Sequence, residues 1–326
     1  MSILVTPNPS PEAIALTEYL RSISGAHTLT GQHCAPLVGD TRLVNVHRML
    51  KHYPALFGQD FGFSAPGTWD GINFRQRIVD DAIRRHYDGF IITLMWHAVP
   101  PTKDEPVVFE RSIQSRLTDA EWTDLVTPGT RLHERWKAQV DVIAWFLRQL
   151  RDAAVPVLWR PYHEMNGKWF WWGQRSGEMG YKRLYRMLFE RLVEFHGLNN
   201  LIWVYNANEV RENIDPYATY YPGDDVVDIL ATDVYRGGFA QADYEQLLAL
   251  AGDKPIALGE VGVPPKLEIL QAQPRWLWFM VWGELFGFWQ EREAYQALYD
   301  STTTITLEDL PWGKINQPKI HYPVLK

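Results

Sequence analysis

Short apolar runs alternate with amphipathic stretches along the whole chain. The runs at Thr28–His33, Ala55–Phe61, Gly89–Trp96, Val155–Tyr162, Leu201–Asn206, Val227–Tyr235, Pro255–Val261 and Leu277–Gly283 have the length of strands. Several, such as FIITLMW and KPIALGEVG, are nearly continuous in apolar residues rather than alternating. That pattern predicts parallel strands buried on both faces.

The stretches between them read as helices. Ser10 followed by Pro11 suits an N-cap and a first helical position, and Gly25 suits a stop. Thr118 with Glu121 has the spacing of a capping box. Arg131–Ala154 carries Leu132, Trp136, Val140, Ile143 and Leu147 as one apolar stripe. Tyr181–His196 repeats this through Leu184, Tyr185, Leu188, Phe189, Leu192 and Phe195, with Gly197 as the stop. Eight strands alternating with helices predict a (β/α)8 TIM barrel of the α/β class. The expectation is one domain over residues 1–326, with residues 1–25 forming an N-terminal helix packed on the barrel. An open doubly wound sheet is the alternative, but no Gly-rich phosphate turn follows the first strand.

Barrels of this kind carry their active sites at the C-terminal ends of the strands. The polar residues there are Trp96–His97, His163–Glu164, Asp233–Tyr235, Glu260 and Trp282, and long connections follow the third and fourth strands. Glu164 and Glu260 each end an apolar run, where a charge is costly unless it faces the open mouth. Strict alternation puts Ile256, Leu258 and Glu260 on one face of the seventh strand. Two carboxylates on one cavity are what glycoside hydrolysis needs, one protonated to give a proton and one ionised to attack or to activate water. The structural alternative is that either glutamate pairs with Arg160 or a helix end. A metal site with His97 and His163 is disfavoured, because the spacing is not HExxH and neighbours 163 and 164 on a strand point to opposite faces. Asn166 and Gln174 are further candidates for bonding substrate hydroxyls.

Composition narrows the partners. A net charge of −7 argues against nucleic acid or an anionic membrane, and no segment offers the roughly 20 apolar residues needed to span a bilayer. Lone Cys34 excludes an internal disulfide framework and a multi-thiolate zinc site. MSILVTPNPSPEAIALTEYL has neither the basic start nor the apolar centre of a secretory signal. The expected location is therefore cytoplasmic, or outside the cell if a leader has been removed. Aromatic residues make up 13% of the chain, including 15 tryptophans. A core role is the default for any one of them, but flat indoles also stack on sugar rings.

WRPYHEMNGKWFWWG (Trp159–Gly173) closely resembles the signature of glycoside hydrolase family 26, known mainly for β-mannanases, and PIALGEVG (Pro255–Gly262) resembles its nucleophile strand. The resemblance extends over essentially the whole chain. It implies a retaining (β/α)8 glycosidase acting on β-1,4-mannan without a cofactor or metal. Carried onto this sequence, it makes Glu164 the acid/base and Glu260 the nucleophile. His97, His163, Trp169, Tyr235 and Trp282 become substrate-site residues, with Tyr235 steadying the nucleophile and Trp282 as the floor under the sugar. In some family mannanases an arginine follows that last tryptophan; here Gly283 does, so the hold on the next sugar must differ. The same machinery on mixed-linkage β-glucan or β-1,3-xylan, or release of disaccharides from chain ends, remains an alternative. A non-catalytic sugar-binding protein and a metal-dependent barrel hydrolase are the readings from other classes.

Overall fold

A computed structural model describes residues 4–284 and 289–312. Eight parallel strands form its centre: β1 (Thr28–His33), β2 (Leu56–Asp60), β3 (Ile91–Trp96), β4 (Val157–Pro161), β5 (Leu201–Asn208), β6 (Ile229–Val234), β7 (Ile256–Val261) and β8 (Trp276–Val281). Each pairs with the next, and β1 pairs with both β8 and β2, so the sheet closes into the expected barrel. A two-residue strand, β9 (Thr304–Ile305), which the sequence pattern did not predict, pairs with the start of β1. The helices are α1 (Pro11–Ile23), α2 (Thr41–Leu50), α3 (Arg75–Tyr87), α4 (Asp119–Val126), α5 (Arg131–Asp152), α6 (Tyr181–Phe189), α7 (Gln241–Ala251), α8 (Leu267–Ala272) and α9 (Arg292–Tyr299). No helix among the described residues is long and apolar enough to cross a membrane.

Local chemistry explains the ends of α1 and the start of α4. Ser10 accepts from the Ala13 amide and caps α1, and Gly25, at φ 84°, turns the chain into β1. The Ser10 amide bonds Asn199 O and the Val5 amide bonds Asp228, which ties this segment to the N-terminal ends of β5 and β6. The capping box at Thr118 forms with both of its hydrogen bonds.

Two expectations need correction. The stripe after Tyr181 stays α-helical only to Phe189, and Glu190–Phe195 forms a π turn. The extra residue per turn swings Phe195 off the stripe to 66% exposure, where Arg191 covers its ring at 3.7 Å. The seventh strand does not alternate strictly either. Thr232 pairs with Leu258 and Asp233 with Glu260, so Gly259 is an extra, unopposed residue.

Most tryptophans are core residues after all: Trp96, Trp122, Trp136, Trp159, Trp171, Trp172, Trp203, Trp276 and Trp278 are buried. Trp169 and Trp282 are half-buried at the mouth, beside the long connections that follow β3 and β4.

Candidate active site

A cleft of about 650 Å³ opens at the C-terminal ends of the strands. It is lined by His97, His163, Glu164, Trp169, Tyr235, Glu260 and Trp282, which unites the seven site residues that the family resemblance implies. His33, Asp60, Asn208, Arg42, Trp69 and Asp70 line it as well. His33 and Asp60 end β1 and β2, as the rim rule requires, but neither lies in a motif that singles it out.

The geometry around Glu260 begins with Gly259. A Cβ there would fall into Asn206 Oδ1 and within 2.8 Å of Asp233 Oδ1, so only glycine fits the bulge. Both Gly259 and Glu260 thereby face the barrel interior. Arg160, on β4, donates from Nη1 to Asn206 Oδ1 at 2.7 Å and from Nη2 to Glu260 Oε1 at 2.9 Å. Tyr235, just past β6, donates its phenol to Glu260 Oε2 at 2.5 Å. Both nucleophile-candidate oxygens are therefore held, and the pairing with Arg160 offered as a structural alternative coexists with the site. Burial and the charges of Glu260 and Asp233 raise the Tyr235 phenol far above its ordinary range, so it remains a donor.

Glu164 does not end β4 but follows it. The strand stops at Pro161, and Tyr162 and Glu164 take left-handed φ angles of 47° and 55°. Neither is glycine, so this turn stores strain that the surrounding contacts must hold. The Glu164 amide bonds Asn206 O at 2.8 Å, which secures it. Because the chain has left the strand, His163 and Glu164 both line the cleft. The opposite-face argument used against a metal therefore fails. The donor set is a better guide: His163, Asp233 and Glu260 each bring one atom within 4.8 Å of the others. Arg160 already serves as the cationic partner there, bonded to Glu260 and 3.7 Å from Asp233 Oδ1, and a metal ion would have to displace it.

Burial raises the Glu164 carboxyl to about 8, with the charge of Glu260 adding to the effect. Trp169 Nε1 donates to Glu164 Oε2 at 2.7 Å and pulls the other way. Asp233 is fully buried, and desolvation followed by Glu260 and Glu164 raises it well above the usual carboxylate range.

The histidines divide into two kinds. Burial and nearby positive charge push His163 and His33 well below the ordinary histidine value, so both are neutral. Burial acts on His97 in the same direction, but the Asp60 carboxylate, 2.6 Å from Nδ1, outweighs it and raises His97. Trp282 stacks on His33 at 3.9 Å and 24°. Asn166 and Gln174 do not serve the cleft. Asn166 is spent on Asn208 and Asp215 backbone, and Gln174 on the carbonyls of Asn166 and Asn213. Cys34 is buried, which raises its thiol far above its ordinary value and leaves it unreactive.

A mannan endo-1,4-beta-mannosidase of Thermothelomyces thermophilus is 36% identical over 320 residues, 94% of this chain and 63% of that protein. The chain spans 43% to 63% of the length of the first four curated relatives. The structure of GH26A from a Muricauda species is 43% identical, with a TM-score of 0.88 over 92% of this chain and 98% of that one. A β-mannanase from a symbiotic protist of the termite Reticulitermes speratus, solved with a gluco-manno-oligosaccharide, is 30% identical with a TM-score of 0.82, over 95% and 98% of the two chains. The profile of glycosyl hydrolase family 26 matches residues 5–309, and the chain belongs to that family.

Proposed function

We propose that the chain is a retaining endo-β-1,4-mannanase whose residues 1–326 act as one catalytic domain. The observation that carries the reading is the unequal pair in the cleft. Glu164 is buried against Trp169 with its carboxyl raised to about 8, whereas Glu260 has both oxygens bonded, to Arg160 and to Tyr235. A carboxylic acid still protonated at neutral pH is a proton donor, and an anchored carboxylate is an aimed nucleophile.

In the first step Glu164 gives its proton to the glycosidic oxygen while Glu260 attacks the anomeric carbon and forms a glycosyl ester. The reducing-end portion of the chain leaves as an alcohol. Glu164, now ionised, takes a proton from water, and the resulting hydroxide displaces Glu260 from the opposite side, restoring both groups. The two inversions give net retention of the β anomer. Trp282 supplies the flat surface under the sugar at the cleavage point, and His97 and His163 reach its hydroxyls. Mannan as the substrate is supported by the names of the relatives and by the oligosaccharide bound to one of them.

The test is product analysis on mannan, lichenan and β-1,3-xylan side by side, with the anomer followed by NMR. Internal cleavage of mannan, with β-manno-oligosaccharides appearing first, supports the reading. Preference for either other polysaccharide overturns the substrate, an initial α anomer overturns the mechanism, and binding without new reducing ends overturns catalysis.

A further inference from the structure

Tyr235 donates to Glu260 from beyond the end of its strand. β6 stops at Val234, and Tyr235 is 40% exposed, standing between the cleft and a second chamber of about 500 Å³ beyond Trp169. Packing alone does not fix a residue so exposed. Its phenol is nevertheless held 2.5 Å from Glu260 Oε2, and small displacements of an aimed group are costly in catalysis.

The main chain at Tyr235 is gripped from both neighbouring strands. On the β7 side the Gly262 amide bonds Val234 O at 3.0 Å. A Cβ on Gly262 would lie 2.7 Å from Tyr235 O and 3.0 Å from its ring, so only glycine lets the two segments come this close. On the β5 side stands Glu209, the residue after the strand. Its amide donates to Asp233 O at 3.0 Å, and its carboxylate Oε1 accepts from the Tyr235 amide at 3.0 Å. The β5–β6 pairing, whose last partners are Asn208 and Asp233, is thus carried one step further by a side chain.

Glu209 is only 6% exposed, and a carboxylate so buried is costly unless it is paired. Arg211 supplies the pair, through Nη2 and the same Oε1, and it also lines the second chamber beside Asn213 and Arg236. Neither Glu209 nor Arg211 lies in Trp159–Gly173 or Pro255–Gly262, the motifs that single out the two glutamates.

We propose that Glu209 is a positioning residue for the cleavage reaction. It acts through Tyr235: by holding that residue's amide it keeps the phenol on Glu260. What matters is an acceptor of the right reach, not its charge. The proposal rests on the reading of Glu260 as the nucleophile.

The test is a set of variants assayed on 2,4-dinitrophenyl β-mannobioside, whose leaving group needs no acid, so that kcat/KM reports the attack by Glu260. Mannobiose affinity is measured beside it. Glu209→Gln keeps the acceptor at the same reach without the charge; Glu209→Asp keeps the charge and withdraws the acceptor by one methylene. Gln should stay within about twofold of wild type and Asp should fall roughly tenfold, the size expected of one hydrogen bond to a charged group. Mannobiose affinity should be unchanged in both. Tyr235→Phe should fall at least as far, and adding Glu209→Asp to it should cost no more than about twofold, because linked residues are not additive. A full second loss in the double variant overturns the proposal, since Glu209 would then act elsewhere. Wild-type activity in Glu209→Asp, or a damaged Glu209→Gln, overturns it too. If Tyr235→Phe alone costs nothing, the phenol does not serve Glu260 and the proposal falls, while product analysis still decides the mannan reading. If wild type cleaves a dinitrophenyl cellobioside in place of the mannobioside, the mannan reading falls, and the same variants on that glycoside decide the role of Glu209.

Discussion

Trp169 donates its indole N–H to Glu164 across 2.7 Å, so the residue that walls the acid also restrains its affinity for protons. Burial and Glu260 raise the Glu164 carboxyl; the indole bond opposes them by favouring the ionised form. Trp169→Phe keeps an apolar wall and removes the donor. The alkaline limb of kcat/KM, which in wild type should fall near 8 as Glu164 loses its proton, should then move upward by roughly one pH unit. An unmoved limb would detach it from Glu164.

The same raised carboxyl weighs on stability. A group that binds its proton more tightly when folded stabilises fully below its unfolded value, and that contribution is lost as pH rises through the folded value. For Glu164 the window runs from roughly 4, where the unfolded carboxyl titrates, to about 8. Glu164→Gln, which does not titrate, should therefore gain in melting temperature relative to wild type as pH climbs through this range. Parallel melting curves at every pH would contradict it.

Gly259→Ala tests the bulge. The added methyl would strike Asn206 Oδ1, the oxygen that holds Arg160, which in turn holds Glu260. A displaced nucleophile should cost at least about a hundredfold in kcat, and the crowding about 1–3 kcal/mol of stability by denaturant titration. Near-normal turnover would mean that the Arg160 network does not aim Glu260.

Much of this was legible in the sequence because burial on both faces leaves continuous apolar runs. All eight barrel strands lie where those runs lie, with ends shifted by at most two residues. Glu164 and Glu260 stood out because a carboxylate is costly at the end of such a run. What stayed hidden depends on three-dimensional approach. The left-handed turn at Tyr162 and Glu164 has no glycine to announce it, and the bulge at Gly259 is visible only through its nearness to Asn206 and Asp233. Asp60 becomes significant once His97 is found against it, and Arg42 once its helix is placed beside Trp282. Asn166 looked like a substrate ligand because its amide is polar and close to Glu164, yet backbone groups consume it.

Glu260→Ala should abolish turnover, and azide should restore part of it. The anion enters the space left by the carboxylate and attacks on the face opposite the leaving group. NMR should identify the product as the α-glycosyl azide, whereas a β-azide would mean that the two glutamates have exchanged roles.

The division of labour between Glu164 and Glu260 is tested most directly by Glu164→Ala on two leaving groups. A sugar alkoxide departs poorly without a proton, whereas dinitrophenolate needs none. The variant should lose mannan hydrolysis by several orders of magnitude while still forming the glycosyl-enzyme rapidly from a dinitrophenyl mannobioside. Without its base the second step slows, so stopped-flow absorbance should record a burst of dinitrophenolate equal to the enzyme present, followed by slow release. Equal losses on both substrates, with no burst, would remove Glu164 from the acid/base role.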